Sequence, residues 1–352
     1  MEVRSTVLDD DIQSAAERID SEAFKGKTVF VTGATGLIGS QVCKSLLTCN
    51  ALHDAGIHVV AMVRSQEKAE KVFADYLGDS MLSFYKGDIT SPIQYEGTVD
   101  YIVHGASATA SRYFVEHPAE TIRTALLGTE MALEFARSKE VAGMVYLSSL
   151  EVYGVPDGTK ETITEKDYGY IDPLSVRSSY SEGKRMAENL CVAYASEYGG
   201  PVKIVRLSQT FGAGVAYNDG RVFAEFARCL IEKKDIVLHT EGKTVRTYCY
   251  PSDAVTAILT VLQKGEPGQA YNVTNRDTAC SIREMAELVA GLEPEAGISV
   301  KVEIPEDLAS FGYNPTMIIR LDPSALESLG WKPTVGIEDM FRRTIASMRE
   351  RS

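Results

Sequence analysis

The sequence predicts an α/β protein, a doubly wound parallel sheet with helices on both faces and a smaller C-terminal lobe. Short, almost wholly apolar runs alternate with helical stretches from residue 28 to residue 206, as strands buried on both faces do. A glycine-rich turn joins the first such run to the first long helix. After Gln209 the rhythm changes to shorter elements separated by loops such as FGAGVAYNDG and GLEPEAG.

The elements follow in order. Ile12, Ala15, Ala16 and Ile19 recur at helical spacing behind an acidic start, which predicts a helix over 9–21 within an N-terminal arm of residues 1–24. TVFVT at 28–32 is the first strand, followed by a helix over 40–48. A second strand over 58–63 leads into a polar helix over 66–76. Strands over 83–85 and 101–104 precede a long helix over 119–138 that carries Ile122, Leu126, Met131, Leu133 and Phe135. A strand over 144–147, a helix over 181–198 and a strand over 203–206 complete the alternation. The plan is a sheet domain over 25–210, to which a segment near 245–275 returns, and a second lobe over 211–352.

Composition narrows the function. With 44% hydrophobic and 24% charged residues, the 352-residue chain is an ordinary globular protein, long enough for two packed units. A net charge of −13 repels phosphate backbones and anionic lipid, so no nucleic-acid or membrane partner is expected. The start MEVRSTVLDDDIQSAAERI lacks the apolar core of a signal peptide and the apolar runs are strand-length, so a cytoplasmic location is expected. Six scattered cysteines form no CxxC pair and no Cys/His cluster, which predicts reduced thiols and no metal.

Chemistry enters with KTVFVTGATGLIGS. Gly33, Gly36 and Gly39 stand between strand and helix, where they permit a tight turn, close backbone approach to a pyrophosphate and tight helix–strand packing. Thr35, Leu37 and Ile38 complete the turn, and the helix start aims N–H groups and its positive dipole end at phosphate. This is a Rossmann-type dinucleotide site. At the tip of the second strand, where an acidic residue often meets the ribose, Arg64 and Ser65 stand instead. A guanidinium there suits a 2′-phosphate and favours NADP over NAD; the alternative is a solvated surface arginine.

Tyr180 and Lys184, at i and i+4 of one helix, emerge on the same face. The lysine charge beside the phenol is expected to lower a pKa that starts near ~10. YLSSLEVYG puts Ser148, Ser149 and Glu151 at the carboxyl edge of the sheet, where ligands of such folds bind, and Ser149 can share a substrate hydroxyl proton with Tyr180.

Together with KGDI at 86–89, VHGAS at 103–107, YSEGK and VRTYCYPSDA at 245–254, these motifs resemble the extended short-chain dehydrogenase/reductases of the nucleotide-sugar epimerase/dehydratase group. YSEGKRMAENLCVAYASEYG and FGAGVAYNDGRV are most similar to UDP-glucuronate decarboxylases. The resemblance implies that Asp88 and Ile89 flank the adenine, and that Ala106 and Ser107 line the nicotinamide half. It makes Tyr180 the base, Lys184 the ribose anchor and Ser149 the partner of the sugar hydroxyl. It also places Gln209, Arg221 and Arg246 against a nucleotide-diphosphosugar, although simple salt bridges remain open for both arginines. Three positions depart from the group: Leu150 replaces an Asp or Ser of the dehydratases, and Gln209 and Ala125 replace asparagines. Leu150 removes a proton donor and counts against plain 4,6-dehydration, while Glu151 keeps a carboxylate that simple 4-epimerases usually lack.

The expected chemistry is transient oxidation of the sugar. Tyr180 takes a hydroxyl proton as hydride leaves the sugar carbon, and return of hydride closes the cycle. The product is epimerised, dehydrated or decarboxylated. Rival readings are an NADPH-consuming keto-sugar reductase, which Arg64 suits, and a non-catalytic NADP-binding sensor, against which the intact Ser149/Tyr180/Lys184 set argues. Apolar Leu127, Met131, Leu190 and Tyr194 lie beyond a single stripe on the two long helices, and the resemblance implies a homodimer paired through them.

Overall fold

A computed structural model describes residues 6–107, 111–156, 158–305 and 316–351. Its strands in chain order are β1 (Thr28–Thr32), β2 (His58–Val63), β3 (Leu82–Lys86), β4 (Tyr101–His104), β5 (Gly143–Ser149), β6 (Val202–Leu207), β7 (Gln209–Thr210), β8 (Ile236–Leu238), β9 (Val245–Cys249), β10 (Ala270–Val273), β11 (Asn275–Ser281), β12 (Val300–Val302) and β13 (Ile318–Ile319). The helices are α1 (Thr6–Glu17), α2 (Ser21–Phe24), α3 (Leu37–His53), α4 (Gln66–Val72), α5 (Ser111–Glu116), α6 (Pro118–Ser138), α7 (Ser179–Tyr198), α8 (Val222–Ile231), α9 (Pro251–Lys264), α10 (Ile282–Gly291), α11 (Ser324–Glu327) and α12 (Ile337–Glu350).

Seven parallel strands form the central sheet in the order β10-β6-β5-β4-β1-β2-β3. The chain winds outward from β1 to β3, then returns to β4 on the other side of β1, so the connections leaving β1 and β4 run to opposite faces of the sheet and open a crevice at the carboxyl ends of these paired strands. That switch point is where doubly wound folds bind ligands. All five residues of β1 are buried, and alternation divides them between the faces. Val29 and Val31 pack toward α3 and α9, while Phe30 packs with the cluster that includes Leu133 of α6 and Ala187 of α7. Gly183 lets α6 and α7 close up, since a Cβ there would lie 3.2 Å from the Ala125 methyl group.

The later chain builds a second core. β7, β9, β11 and β13 form a four-stranded mixed sheet and β8 pairs with β12. Phe211, Phe223, Phe226, Met285 and Phe341 pack around them. α9 and β10 return to the large sheet, as the contacts of α9 with β5 and the pairing of β10 with β6 show. The N-terminal arm bridges both units: buried Asp11 accepts hydrogen bonds from the Tyr250 hydroxyl and from Arg343 at 2.6 Å.

Element ends differ from the sequence expectation for local reasons. The arm breaks into two helices because the Asp20 side chain caps α2, accepting from the Ala23 N–H at 3.3 Å. α3 begins three residues early, with Gly36 as its N-cap. α4 stops at Val72 and a 3₁₀ turn over Ala74–Tyr76 follows. Among the described residues, no helix is long and apolar enough to cross a membrane, and no cluster of His, Cys, Asp and Glu could hold a metal.

Candidate active site

At the head of the crevice the backbone does most of the shaping. Gly33 sits at φ +70, and a Cβ there would lie 2.7 Å from the Gly105 carbonyl. A Cβ on Gly39 would strike the Gly33 carbonyl oxygen. Gly36 is exposed, and its N–H donates to that same oxygen at 2.9 Å. No side chain caps α3, so the first N–H groups, of Leu37 and Ile38, are left for an anion. A polar group with phosphates therefore fits this turn, and larger side chains would fill it. Thr35 is half-buried beside it.

Thr32 joins this turn to the next strand. Its hydroxyl accepts from the Gly105 and Ala106 N–H groups at 3.2 Å each and lies 2.7 Å from His104 Nδ1. With both acceptor positions taken, its proton goes to Nδ1. His104 is then neutral, with its own proton on Nε2, 3.3 Å from Thr129 Oγ1. Burial, helped by the Lys184 charge, pushes its pKa down to about 3. The segment Gly105–Ser107 is thus fixed along the crevice, with Ala106 and Ser107 half-buried.

On the other side, Arg64 is exposed just beyond the carboxyl end of β2. Exposed Asp88 bonds to the Thr90 N–H at 2.8 Å and accepts from its hydroxyl at 2.6 Å. Those bonds hold its carboxyl below the usual range, with the Arg64 charge adding to the effect. Ile89 is buried against Gly128 of α6.

The catalytic candidates meet at the carboxyl end of β5. Lys184 is buried and its Nζ donates to the Leu147 carbonyl at 2.6 Å, 4.7 Å from the Tyr146 ring centre and 5.8 Å from that of Tyr180. Burial lowers Lys184 to about 8, against the pull of Glu188. Tyr180 stacks on Phe114 with centroids 4.2 Å apart and planes 8° from parallel. Its pKa departs from the sequence expectation: burial pushes it up to about 12, while a hydrogen bond from Ser149 and the charges of Arg177 and Arg221 pull down and Glu151 pushes up. Desolvation of the phenolate outweighs its cationic neighbours. The Ser149 hydroxyl also accepts from the Glu151 N–H at 3.2 Å. Glu151 Oε2 accepts from Ser181 at 3.2 Å, and Oε1 lies 3.5 Å from Arg177.

Leu150 points elsewhere. Its side chain packs with Val152, Ile163, Ile319 and Leu321, so the turn presents its neighbours Ser149 and Glu151 to the site without a third polar group. Behind them a buried network anchors α7: Arg206 donates to Glu188 at 2.6 Å, and Ser148 donates to the same carboxylate.

Toward the second lobe, Gln209 and Tyr248 are register partners on parallel strands, and Arg246 lies two residues from Tyr248 on the same face. Gln209 Oε1, Arg246 Nε and the Tyr248 hydroxyl are buried without a hydrogen-bond partner among the described residues. Three orphaned groups on one face suit a polar ligand. Arg221 is engaged: Asp219 accepts from its Nε at 3.0 Å and its Nη2 at 2.6 Å.

Residues 29–274 match the family model described as the NAD dependent epimerase/dehydratase family. The chain belongs to this family. UDP-glucuronic acid decarboxylase 6 of Arabidopsis thaliana is 29% identical over 313 residues, 88% of this chain and 85% of that one. An epimerase of Methanothermobacter thermautotrophicus has the same fold, with TM-score 0.76 and 22% identity over 98% of this chain and 96% of its own. A UDP-glucuronic acid 4-epimerase of Bacillus cereus, in complex with UDP-glucuronic acid and NAD, superposes with TM-score 0.74 at 20% identity, covering 92% and 99%.

Three residues that sequence reasoning passed over lie beside these candidates. Phe114 stacks on the phenol from a helix with no motif of its own. Arg177 stands three residues before Tyr180, a position that could have been flagged. Tyr248 lies inside VRTYCYPSDA, where Arg246 alone was singled out.

Proposed function

We propose that the chain is an NAD(P)-dependent enzyme that transforms a nucleotide-diphosphosugar through a transient keto sugar, with decarboxylation of a sugar acid as the net reaction. The observation that carries this is the meeting of Ser149, Glu151, Tyr180 and Lys184 at one sheet edge, with Leu150 turned into the core. Gly33–Gly39, Arg64, Asp88, Ile89, Ala106 and Ser107 would hold the dinucleotide. When bound, the cofactor supplies the hydride acceptor and later the donor.

The protein's own groups do the rest. Tyr180 accepts a sugar hydroxyl proton, and Ser149 holds that hydroxyl in line. A phenol near 12 is protonated at neutral pH, so cations must favour its ionised form when the site is charged. Lys184, still mostly protonated at neutral pH, stands 5.8 Å from the ring centre, and the charges of Arg177 and Arg221 already pull the phenol down. A ketone then withdraws electrons from the neighbouring carbons, so a carboxylate one carbon further leaves as CO₂, the electrons of the broken C–C bond forming an enolate that takes up a proton at carbon before hydride returns. Glu151 orients the sugar at this stage. Gln209, Arg246 and Tyr248 supply donors and acceptors for the nucleotide diphosphate.

Tyr180→Phe should keep the fold and cofactor affinity while turnover falls by roughly 10²–10⁴-fold. Glu151→Gln should still reduce bound cofactor when mixed with substrate, yet fail to complete the product. Rapid-mixing absorbance at the reduced nicotinamide band, beside product analysis, separates the steps. Full turnover in Tyr180→Phe would overturn the assignment.

Two finer points belong to this reading. Arg64, exposed just beyond β2, would meet a 2′-phosphate, which supports NADP beside NAD and keeps the reductase as a second reading. A homodimer through α6 and α7 is supported by the exposure of Ile122, Met186 and Val192, with Leu127, Met131, Leu190 and Tyr194 half-buried among them. A concentration-independent monomer mass in sedimentation would exclude it.

A further inference from the structure

We infer that Arg177 receives the acidic group of the sugar and sets a preference for a nucleotide sugar acid over its neutral counterpart. The inference rests on the nucleotide-sugar reading above. It starts from which cations near Tyr180 are already spent. Lys184 donates to the Leu147 carbonyl. Arg185 donates to the carbonyls of Val152 at 2.6 Å and Gly169 at 2.8 Å. Arg206 is locked to Glu188, and Arg221 to Asp219.

Arg177 differs from all of these. Its side chain is 29% exposed, and among the described residues its one carboxylate contact is the loose 3.5 Å approach to Glu151. Its guanidinium donates no hydrogen bond to the described residues. It lies 5.3 Å from the ring centre of Phe114, the ring that stacks on Tyr180. A guanidinium thus stands at the rim of the catalytic phenol with donors to offer.

Charge makes the same demand. A sugar carboxylate brought to this edge approaches Glu151, and two like charges at close range repel strongly in a partly buried site. A cation between them removes the repulsion, and a planar guanidinium can serve both carboxylates through different N–H groups. A neutral sugar makes no such demand and leaves Arg177 on Glu151.

Calorimetry with UDP-glucuronic acid and UDP-glucose, each added to the NAD-loaded protein, tests this. The wild type should bind the acid more tightly, and Arg177→Met should lower the acid-to-neutral affinity ratio by about 10-fold or more, the loss expected for a charge-assisted hydrogen bond. Arg177→Lys should restore part of the ratio. Arg177→Gln provides the same test should Arg177→Met fail to fold. Repeating the pair in Glu151→Gln separates direct contact from an effect through Glu151: direct contact still lowers the ratio there. An unchanged ratio, or a loss confined to the Glu151 background, overturns the inference while leaving the nucleotide-sugar reading intact. NAD binding with no binding of either UDP-sugar would defeat that reading and the inference with it.

Discussion

The two halves of the crevice are built from different materials. On the cofactor side the backbone shapes the space: Gly33 and Gly39 admit no Cβ, α3 begins without a side-chain cap, and Thr32 ties down the Gly105 and Ala106 N–H groups. On the sugar side the space belongs to side chains, some with polar groups left without a partner among the described residues, as in Gln209, Arg246 and Tyr248, and one already paired, Arg221 with Asp219. A backbone site tolerates little change and binds what its relatives bind. A side-chain site can be rewritten one residue at a time, which is how one family supports several reactions.

The contrast breaks first at Gly33. Gly33→Ala places a Cβ 2.7 Å from backbone that cannot yield as a side chain would, at a φ of +70 that alanine rarely adopts. Strain of this kind costs about 1–3 kcal/mol, and the displaced turn no longer meets the pyrophosphate. Dinucleotide affinity should fall by about 100-fold or more with far-UV circular dichroism retained. Binding within a few-fold of wild type would show that the cofactor half is less rigid than its geometry implies.

On the reading proposed above, the Arg64 side chain would tune the cofactor half. Arg64→Ala should weaken NADP by about 10–100-fold, as loss of a charge-assisted contact would, and leave NAD unchanged. Calorimetry on both cofactors decides it. Asp88 stands close enough for each to feel the other's charge, so equal affinities in the wild type would mean that Arg64 serves Asp88 and not a phosphate.

These halves were not equally legible in the sequence. GATGLIG reads directly because Gly33 and Gly39 answer steric needs that no other residue meets. The sheet strands read well because burial on both faces leaves unbroken apolar runs, as in β1. The sugar half read poorly: Tyr248 and Arg177 are common residue types whose meaning comes from what lies beside them in space. The Tyr180 phenol misled for a related reason. Spacing put Lys184 beside it, but burial, a property of the packed fold, decides its pKa. Leu150 was read as a missing donor, and packing shows where its side chain goes.

Lys184 offers a pH test of the boundary between the halves. Its pKa is about 8 in the fold against an ordinary 10.5. Below about 8 both folded and unfolded chains hold the proton, so the burial penalty is present in full. Between the two values the unfolded chain binds more protons, so stability from this group rises with pH. Relative to Lys184→Met, the wild type should therefore gain ~2 kcal/mol between about pH 8 and about pH 10. Denaturant melts of both proteins across that range measure it, and parallel curves would place the lysine in a wetter setting than its burial indicates.

The smallest expected effect sharpens the contrast on the sugar side. Asp219 holds Arg221 through bonds to Nε and Nη2 and a further one to the Arg221 N–H at 2.9 Å. The backbone bond fixes the turn before α8, and the side-chain bonds compete with any anion that Arg221 would bind. Asp219→Asn keeps an acceptor for the N–H but removes the charge that restrains the guanidinium. If Arg221 binds the sugar nucleotide, freeing it should raise UDP-glucuronic acid affinity a few-fold, since a partly exposed pair is worth ~1 kcal/mol or less. Stability should drop by a similarly small amount. If Asp219 instead aims Arg221 at the ligand, the same substitution should weaken binding, and the pair is then a preformed part of the site. Isothermal calorimetry on the NAD-loaded protein gives the sign, and the sign alone tells whether this half of the crevice is held in reserve or already set.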